Sequence, residues 1–208
     1  RGRIGNVHDS SLRAPRLRLY SRLAVLTALS LLLALASGLP AAAAPAVQDG
    51  DAAPPFSLMS SDGGSWSLGD HRGKIVLLFF LGHNAAVCID AARDVEFGLH
   101  QMYGSQGLDV VGIDCWDGTT EQVRLFAAAT GVSFPLLFNG GSVASAYDLS
   151  YHSFVLVDGH GIVREVHAGP DASAFNLSGL QQSVQTLLQE ANAAQDATWG
   201  AIKALYGR

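Results

Sequence analysis

Apolar and polar positions alternate along this chain in two different rhythms. Ile75 to Phe80 is an unbroken apolar run of strand length, which predicts a strand buried on both faces. From Cys88 to Tyr103 the residues Ala91, Ala92, Val95, Leu99, Met102 and Tyr103 return at three- and four-residue steps. That spacing predicts a helix with one buried face. Leu108 to Ile113 predicts a second buried strand, running into Asp114-Cys115-Trp116-Asp117-Gly118. A helix follows from Thr119 or Thr120, where Thr119 and Gln122 have the spacing of a capping box, and Gly131 stops it. Phe134 to Phe138 predicts a short edge strand, because Pro135 has no N–H to give to a ladder. Ser142 to Tyr147 predicts one or two helical turns, and Phe154 to Val157 with Ile162 to Val166 a hairpin about Asp158-Gly-His-Gly161. Ala174 to Ala191 predicts a closing helix with Phe175, Leu180, Val184 and Leu187 or Leu188 inward. Ahead of these, Asp51 to Leu58 and Asp62 to Leu68 predict two short elements around a Gly-rich turn. The order predicts an α/β domain with helices packed on a central sheet.

The first 46 residues follow neither rhythm. Residues 1 to 22 hold six of the 13 Lys and Arg, then come the apolar stretch Leu23 to Leu39 and the small-residue run Pro40 to Ala46. This layout predicts a signal peptide over residues 1–46, with Ala44-Pro45-Ala46 as the cleavage site. An uncleaved membrane anchor is the alternative, since a span needs roughly 20 residues. The absence of an initiator Met and the long basic lead suggest an incomplete or mis-started reading frame. No Cys stands near the cleavage site to support lipid attachment.

Cleavage leaves 162 residues with 7 basic and 17 acidic side chains, a formal charge of −10. That size suits one domain over residues 47–192, followed by a tail over 193–208. The negative balance argues against nucleic acid and anionic membranes as partners. A periplasmic or secreted location is oxidising, so Cys88 and Cys115 could pair, although two cysteines are too few for a disulfide scaffold. The seven His have no Cys or His partners at ligand spacing, so no metal and no other cofactor is expected.

Five blocks, in order, carry a family resemblance: Gly50-Asp-Ala-Ala-Pro-Pro-Phe-Ser-Leu, Gly73-Lys-Ile-Val-Leu-Leu-Phe-Phe, Val110-Val-Gly-Ile, Gly131-Val-Ser-Phe-Pro-Leu-Leu and Val155-Leu-Val-Asp-Gly-His-Gly-Ile-Val-Arg. From about residue 50 to 192 the chain resembles the redoxins, which join the alkyl hydroperoxide reductase and thiol-specific antioxidant (peroxiredoxin) class to secreted thiol-disulfide oxidoreductases. The resemblance implies a thioredoxin-like α/β fold, a central mixed β-sheet flanked by helices. Its dithiol members open the helix after the first long strand with Cys-x-x-Cys, whose two positions fall here on Ala85 and Cys88. Alanine cannot be the attacking sulfur, so dithiol exchange through that motif is excluded. Peroxiredoxins instead use Pro-x-x-x-Thr-x-x-Cys, which puts a peroxidatic role on Cys88 while Leu81 and Ala85 replace the Pro and the Thr. The site that holds a cis-Pro in thioredoxins and an Arg in peroxiredoxins is His152. An imidazole there could stabilise a Cys88 thiolate or act as a base, and His83 on the intervening loop is another candidate.

Cys115 follows the strand expected beside the one that leads to Cys88, and so is a candidate resolving thiol. Asp114 and Asp117 flank it, and their field would raise a thiol pKa. Each residue also has a structural reading: Cys88 as small apolar filling, His152 as a strand-end polar residue, and Cys115 as a loop cysteine out of bonding reach. Trp66 and Trp116 read as packing. Trp199, Ile202, Leu205 and Tyr206 share one helical face after a polar Gln195-Asp196 joint, for docking on this domain or on a partner. The function expected is an exported single-cysteine thiol oxidoreductase using Cys88, His152 and Cys115 on a small peroxide or a protein thiol or disulfide. The competing class is a catalytically degenerate binding or structural module on the same fold.

Overall fold

Seven consecutive apolar residues, Ile75–Leu81, form strand β3, and every one is buried. A strand buried on both faces needs neighbours at both edges and a layer on each side. A computed structural model describes Gly2 and residues 46–169 and 175–206. The chain divides into units 1–43 and 44–208, and the described fold is that of the second. The predicted leader, apart from Gly2 and Ala46, lies outside the described residues.

After the short antiparallel pair β1 (Ser57–Met59) and β2 (Ser65–Ser67) come β3, β4 (Leu108–Asp114), β5 (Leu136–Leu137), β6 (Ser153–Val157) and β7 (Val163–His167). The last five make one mixed sheet in the order β5-β4-β3-β6-β7. β3 pairs in parallel with β4 and antiparallel with β6. The helices are α1 (Ala86–Val95, continuing through a π-type turn, Glu96–His100, to Tyr103), α2 (Thr120–Thr130), α3 (Gly141–Tyr147) and α4 (Leu177–Tyr206). Thr119 and Gln122 form the expected capping box at the head of α2, and Gly131 ends it in the left-handed conformation. α4 departs from expectation: it runs unbroken through Gln195 and Asp196, so these polar residues sit on a helix surface and make no joint. Two polar residues do not stop a helix in the way Pro does.

Alternation along the strands sorts the core into two layers. Ile75, Leu77, Phe79 and Leu81 of β3, with Phe154 and Leu156 of β6, pack against α1, α2 and α4. Val76, Leu78 and Phe80, with Val155 and Val157, pack against α3, Trp66, Leu68 and the incoming chain at Val47 and Ala53. Phe79 and Phe154 stack at 4.8 Å across the strand pair in the first layer. Glu96 is a buried carboxylate in that layer. Burial raises its pKa, but the amide and hydroxyl of Ser133 and the Gln101 side chain donate to it and hold it below the ordinary carboxyl range. Only the first half of α4 is buried, through Leu180, Val184, Leu187 and Leu188. Trp199, Ile202, Leu205 and Tyr206 of its second half are exposed.

Candidate functional site

The carboxyl ends of β3 and β4 carry the chemistry. After Leu81 the chain turns through Gly82-His83-Asn84-Ala85 and enters α1, where Ala85 stands at the N-cap with extended backbone and no side-chain cap. Cys88 lies in the first turn of α1 and is fully buried. The amide of Gly82 donates to its Sγ at 3.5 Å, and the backbone of His152 lowers the same thiol's pKa. Burial pushes the Cys88 thiol up, the backbone of Gly82 and of His152 pulls it down, and the Asp114 charge pushes it up again. The balance leaves it above the ordinary thiol value, so the resting sulfur is protonated near neutral pH.

The part of His152 that acts on the Cys88 thiol is its backbone. It adopts the left-handed conformation, φ 60°, which for a non-glycine residue costs about 1–3 kcal/mol. Its ring stands edge-on to Phe154 at 5.5 Å, and its buried Nδ1 has no hydrogen-bond partner among the described residues. Phe154 belongs to the layer that contains Cys88, so ring and sulfur share one face of the sheet.

Cys115 sits one strand away, its amide donating to the Leu81 carbonyl at 2.8 Å. Its side chain packs in the opposite layer and contacts the Ile113 carbonyl at 3.6 Å. Both cysteines are free thiols. Cys115 is pushed far above the ordinary thiol range, first by burial and then by the charges of Asp114, Cys88 and Asp117. The structure thus gathers Cys88 and the His152 backbone on one face and leaves Cys115 on the other.

Asp114 has a second place in this site, which its position as a neighbour of Cys115 does not suggest. Fully buried at the end of β4, its carboxylate accepts from the Gly118 amide at 2.6 Å, the His83 amide at 3.2 Å and the His83 ring at Nδ1, 3.1 Å. A carboxylate directly after the buried run Val110 to Ile113 is the signal in the sequence that points to such a partner. Trp116 covers Gly82 so closely that a Cβ there would lie 2.7 Å from the indole. His83 and Tyr151 meet the same indole edge-on, at 5.9 and 4.9 Å. Trp116 is therefore packing on one side, as expected, while 43% of its surface stays exposed at the mouth of the site.

At the far end of the sheet, a groove of about 580 Å³ runs between the β6–β7 turn and α4. Its charged groups are committed to one another, Arg164 bridging Asp158 and Glu190 at 3.2 Å each. None of the residues expected to be catalytic lines it.

Comparison with known proteins agrees with this geometry. The chain is 28% identical over 124 residues to "Thioredoxin-like protein YneN" of Bacillus subtilis, covering 59% of this chain and 73% of that protein. It is 37% identical over 89 residues to a Mycobacterium tuberculosis protein named "Putative peroxiredoxin", covering 42% of this chain and 55% of the relative, so that match spans about half the relative's length. Among solved structures, a protein disulfide isomerase, so named as putative, from Bacteroides thetaiotaomicron superposes with a TM-score of 0.62 at 27% identity, covering 72% of this chain and 95% of that one. The fold is that of the thioredoxin-like proteins, with a mixed sheet flanked by helices. The AhpC/TSA family model matches residues 50–166, more than half of the chain. With the five sequence blocks, the sheet order and Cys88 at the head of α1 all agreeing, this chain belongs to the AhpC/TSA family.

Proposed function

We propose that this protein is an exported thiol-redox protein in which Cys88 alone carries the electrons, reducing a hydroperoxide. The observation that carries the reading is the Gly82 amide donating to the Cys88 sulfur in the first turn of α1, where the His152 backbone also lowers the thiol's pKa. Such donors stabilise negative charge on sulfur, and on the oxygen of a sulfenate. In the reaction the Cys88 thiol loses its proton and the thiolate attacks the outer peroxide oxygen. The O–O bond breaks, the alkoxide or hydroxide leaves and takes up a proton, and Cys88 becomes a sulfenic acid. A thiol then attacks that sulfur, forming a disulfide and releasing water. Cys115 packs in the opposite layer, so a protein thiol from outside is the better resolving partner in this arrangement. Thioredoxin-like and peroxiredoxin-named relatives support thiol-redox chemistry in general. The leader pattern supports export, and among the described residues no helix is long and apolar enough to cross a membrane.

The test is mass spectrometry of the folded protein after mild peroxide in the presence of dimedone. A dimedone adduct on Cys88 is expected, absent in Cys88→Ala and retained in Cys115→Ser. Cys88 labelling no higher than in a peroxide-free control would overturn the reading. That result would favour a second reading, a binding module on the same fold without redox activity, which the complete burial and raised pKa of Cys88 support.

A further inference from the structure

We infer that the exposed half of α4 is a self-association surface, against which a second copy of this chain lays its own α4 antiparallel. The buried residues of the helix end at Leu188, but the helix runs about five turns further, to Tyr206. Trp199, Ile202, Leu205 and Tyr206 continue the three- and four-residue rhythm of its buried face, yet Leu205 is 78% and Tyr206 85% exposed. A helical stretch of this length is marginal on propensity alone, and an apolar stripe along it marks a contact with another surface.

Charge selects the occupant. Without its leader the chain carries a formal charge of −10, so two copies repel one another except where their charges cancel locally. From residue 191 to 206 only Asp196 and Lys203 are charged, one of each sign. They stand seven residues apart, hence on one side of the helix, and Lys203 Nζ lies 5.6 Å from the centre of the Trp199 ring, so that side borders the apolar stripe. Neither forms a salt bridge among the described residues. Two parallel helices in register would set Asp196 against Asp196 and Lys203 against Lys203. Antiparallel helices centred between Trp199 and Gly200 instead set each Asp196 against the partner's Lys203, a symmetric contact of the kind that closes a dimer.

The same register matches size. It brings Trp199 level with the partner's Gly200, Ile202 with the partner's Ala197, Leu205 with the partner's Ala194 and Tyr206 with the partner's Ala193. Each large residue thus stands at the level of a small one, which lets the two helices approach and interdigitate. Ala194 also lines the groove of about 580 Å³ between α4 and the β6–β7 turn, so the last turn of the partner's helix arrives at that groove. The ionic groups there are already paired, Arg164 with Asp158 and Glu190, which suits an apolar occupant. Two copies bring four aromatic side chains to the contact, each able to bury about 150–250 Å², toward the roughly 1,000 Å² that a specific interface needs.

Sedimentation equilibrium of the full chain, at up to ~100 µM, tests the inference: the expected mass is twice the 21.8 kDa of one copy. Ile202→Asp and Leu205→Asp should each weaken association at least about tenfold, because each would place an unpaired charge in the contact. Both positions lie outside the two core clusters, so folding of the domain does not depend on them. A charge exchange then tests orientation. Asp196→Lys or Lys203→Asp alone brings like charges together and should weaken the dimer about three- to tenfold, and the two combined should restore it. A monomer at every concentration overturns the inference and leaves the face to a different partner. A dimer insensitive to Ile202→Asp and Leu205→Asp overturns it as well, by placing the contact on another surface. A double exchange no tighter than either single one overturns the antiparallel arrangement.

Discussion

Two sulfurs end up one strand apart, on opposite faces of the same sheet, in environments of opposite character. Cys88 lies at the start of a helix, sealed in the layer of α1 and α4, and accepts from the Gly82 amide. Cys115 lies just past the end of β4 in the layer of α3, half buried, with Asp114 and Asp117 bearing on it. Burial raises both thiols; the backbone of Gly82 and of His152 opposes it around Cys88, whereas around Cys115 the charges of Asp114, Cys88 and Asp117 add to it against the backbone of Leu81 alone. The comparison teaches that nearness in sequence to a redox motif counts for less than which groups aim at the sulfur. It also separates a sulfur that accepts an amide hydrogen bond from one on which three neighbouring charges bear.

The comparison can be broken most forcefully from the core. Phe154 is fully buried between Phe79, Phe175 and the His152 ring, all on the Cys88 side. Phe154→Ala should lower unfolding free energy by about 3–5 kcal/mol in urea titration. In the native state it should speed alkylation of Cys88 well beyond that of Cys115. Equal acceleration at both cysteines would show that the two layers do not protect them separately.

A smaller effect should appear in alkaline solution. Both thiols have folded-state pKa values above the ordinary one, near 8.5, so on raising the pH the unfolded chain releases these protons first. The stability they contribute is complete below that ordinary value and is lost as pH climbs through the folded values. Urea midpoints should therefore decline from about pH 8.5 upward. The decline should shrink in the Cys88→Ala, Cys115→Ala double variant. Some decline should persist there, because burial also pushes the Tyr147 hydroxyl up, and Tyr147 titrates with the same sign at higher pH. An unchanged slope in the double variant would mean that neither thiol is shifted.

The smallest effect isolates electrostatics. Asp117→Asn removes one charge acting on Cys115 while keeping an oxygen for the Gly141 amide, which donates to Asp117 at 2.7 Å. Labelling of Cys115 should quicken by about two- to fivefold at pH 8, with Cys88 unchanged. A matching change at Cys88 would mean that the sheet does not separate the two fields.

Much of the architecture was legible because it is written in local periodicity. The seven-residue run of β3, the three-and-four spacing of α1, the Thr119–Gln122 cap and the β6–β7 hairpin all follow from contacts within a few residues or from one buried face. The continuous α4 was less legible, because a polar pair on a helix surface and a polar pair in a joint read alike. The site divides in the same way. Cys88 at a helix start was readable from its distance to β3. That His152 would act through its backbone and turn its ring to Phe154 was not, because this depends on one left-handed backbone dihedral. The His83–Asp114 contact joins residues 31 apart and needs β3 and β4 to be parallel and in register, Leu81 opposite Asp114.

By itself the sequence determined the element order, the family and the loss of a first sulfur at Ala85, because these depend on residue type and spacing alone. Tertiary structure decided the rest: which face each cysteine occupies, what donors reach it, and that the buried Asp114 holds His83 of the β3–α1 loop. A side chain's chemistry is set by the charges, dipoles and hydrocarbon within a few ångströms, and only folding brings those neighbours together.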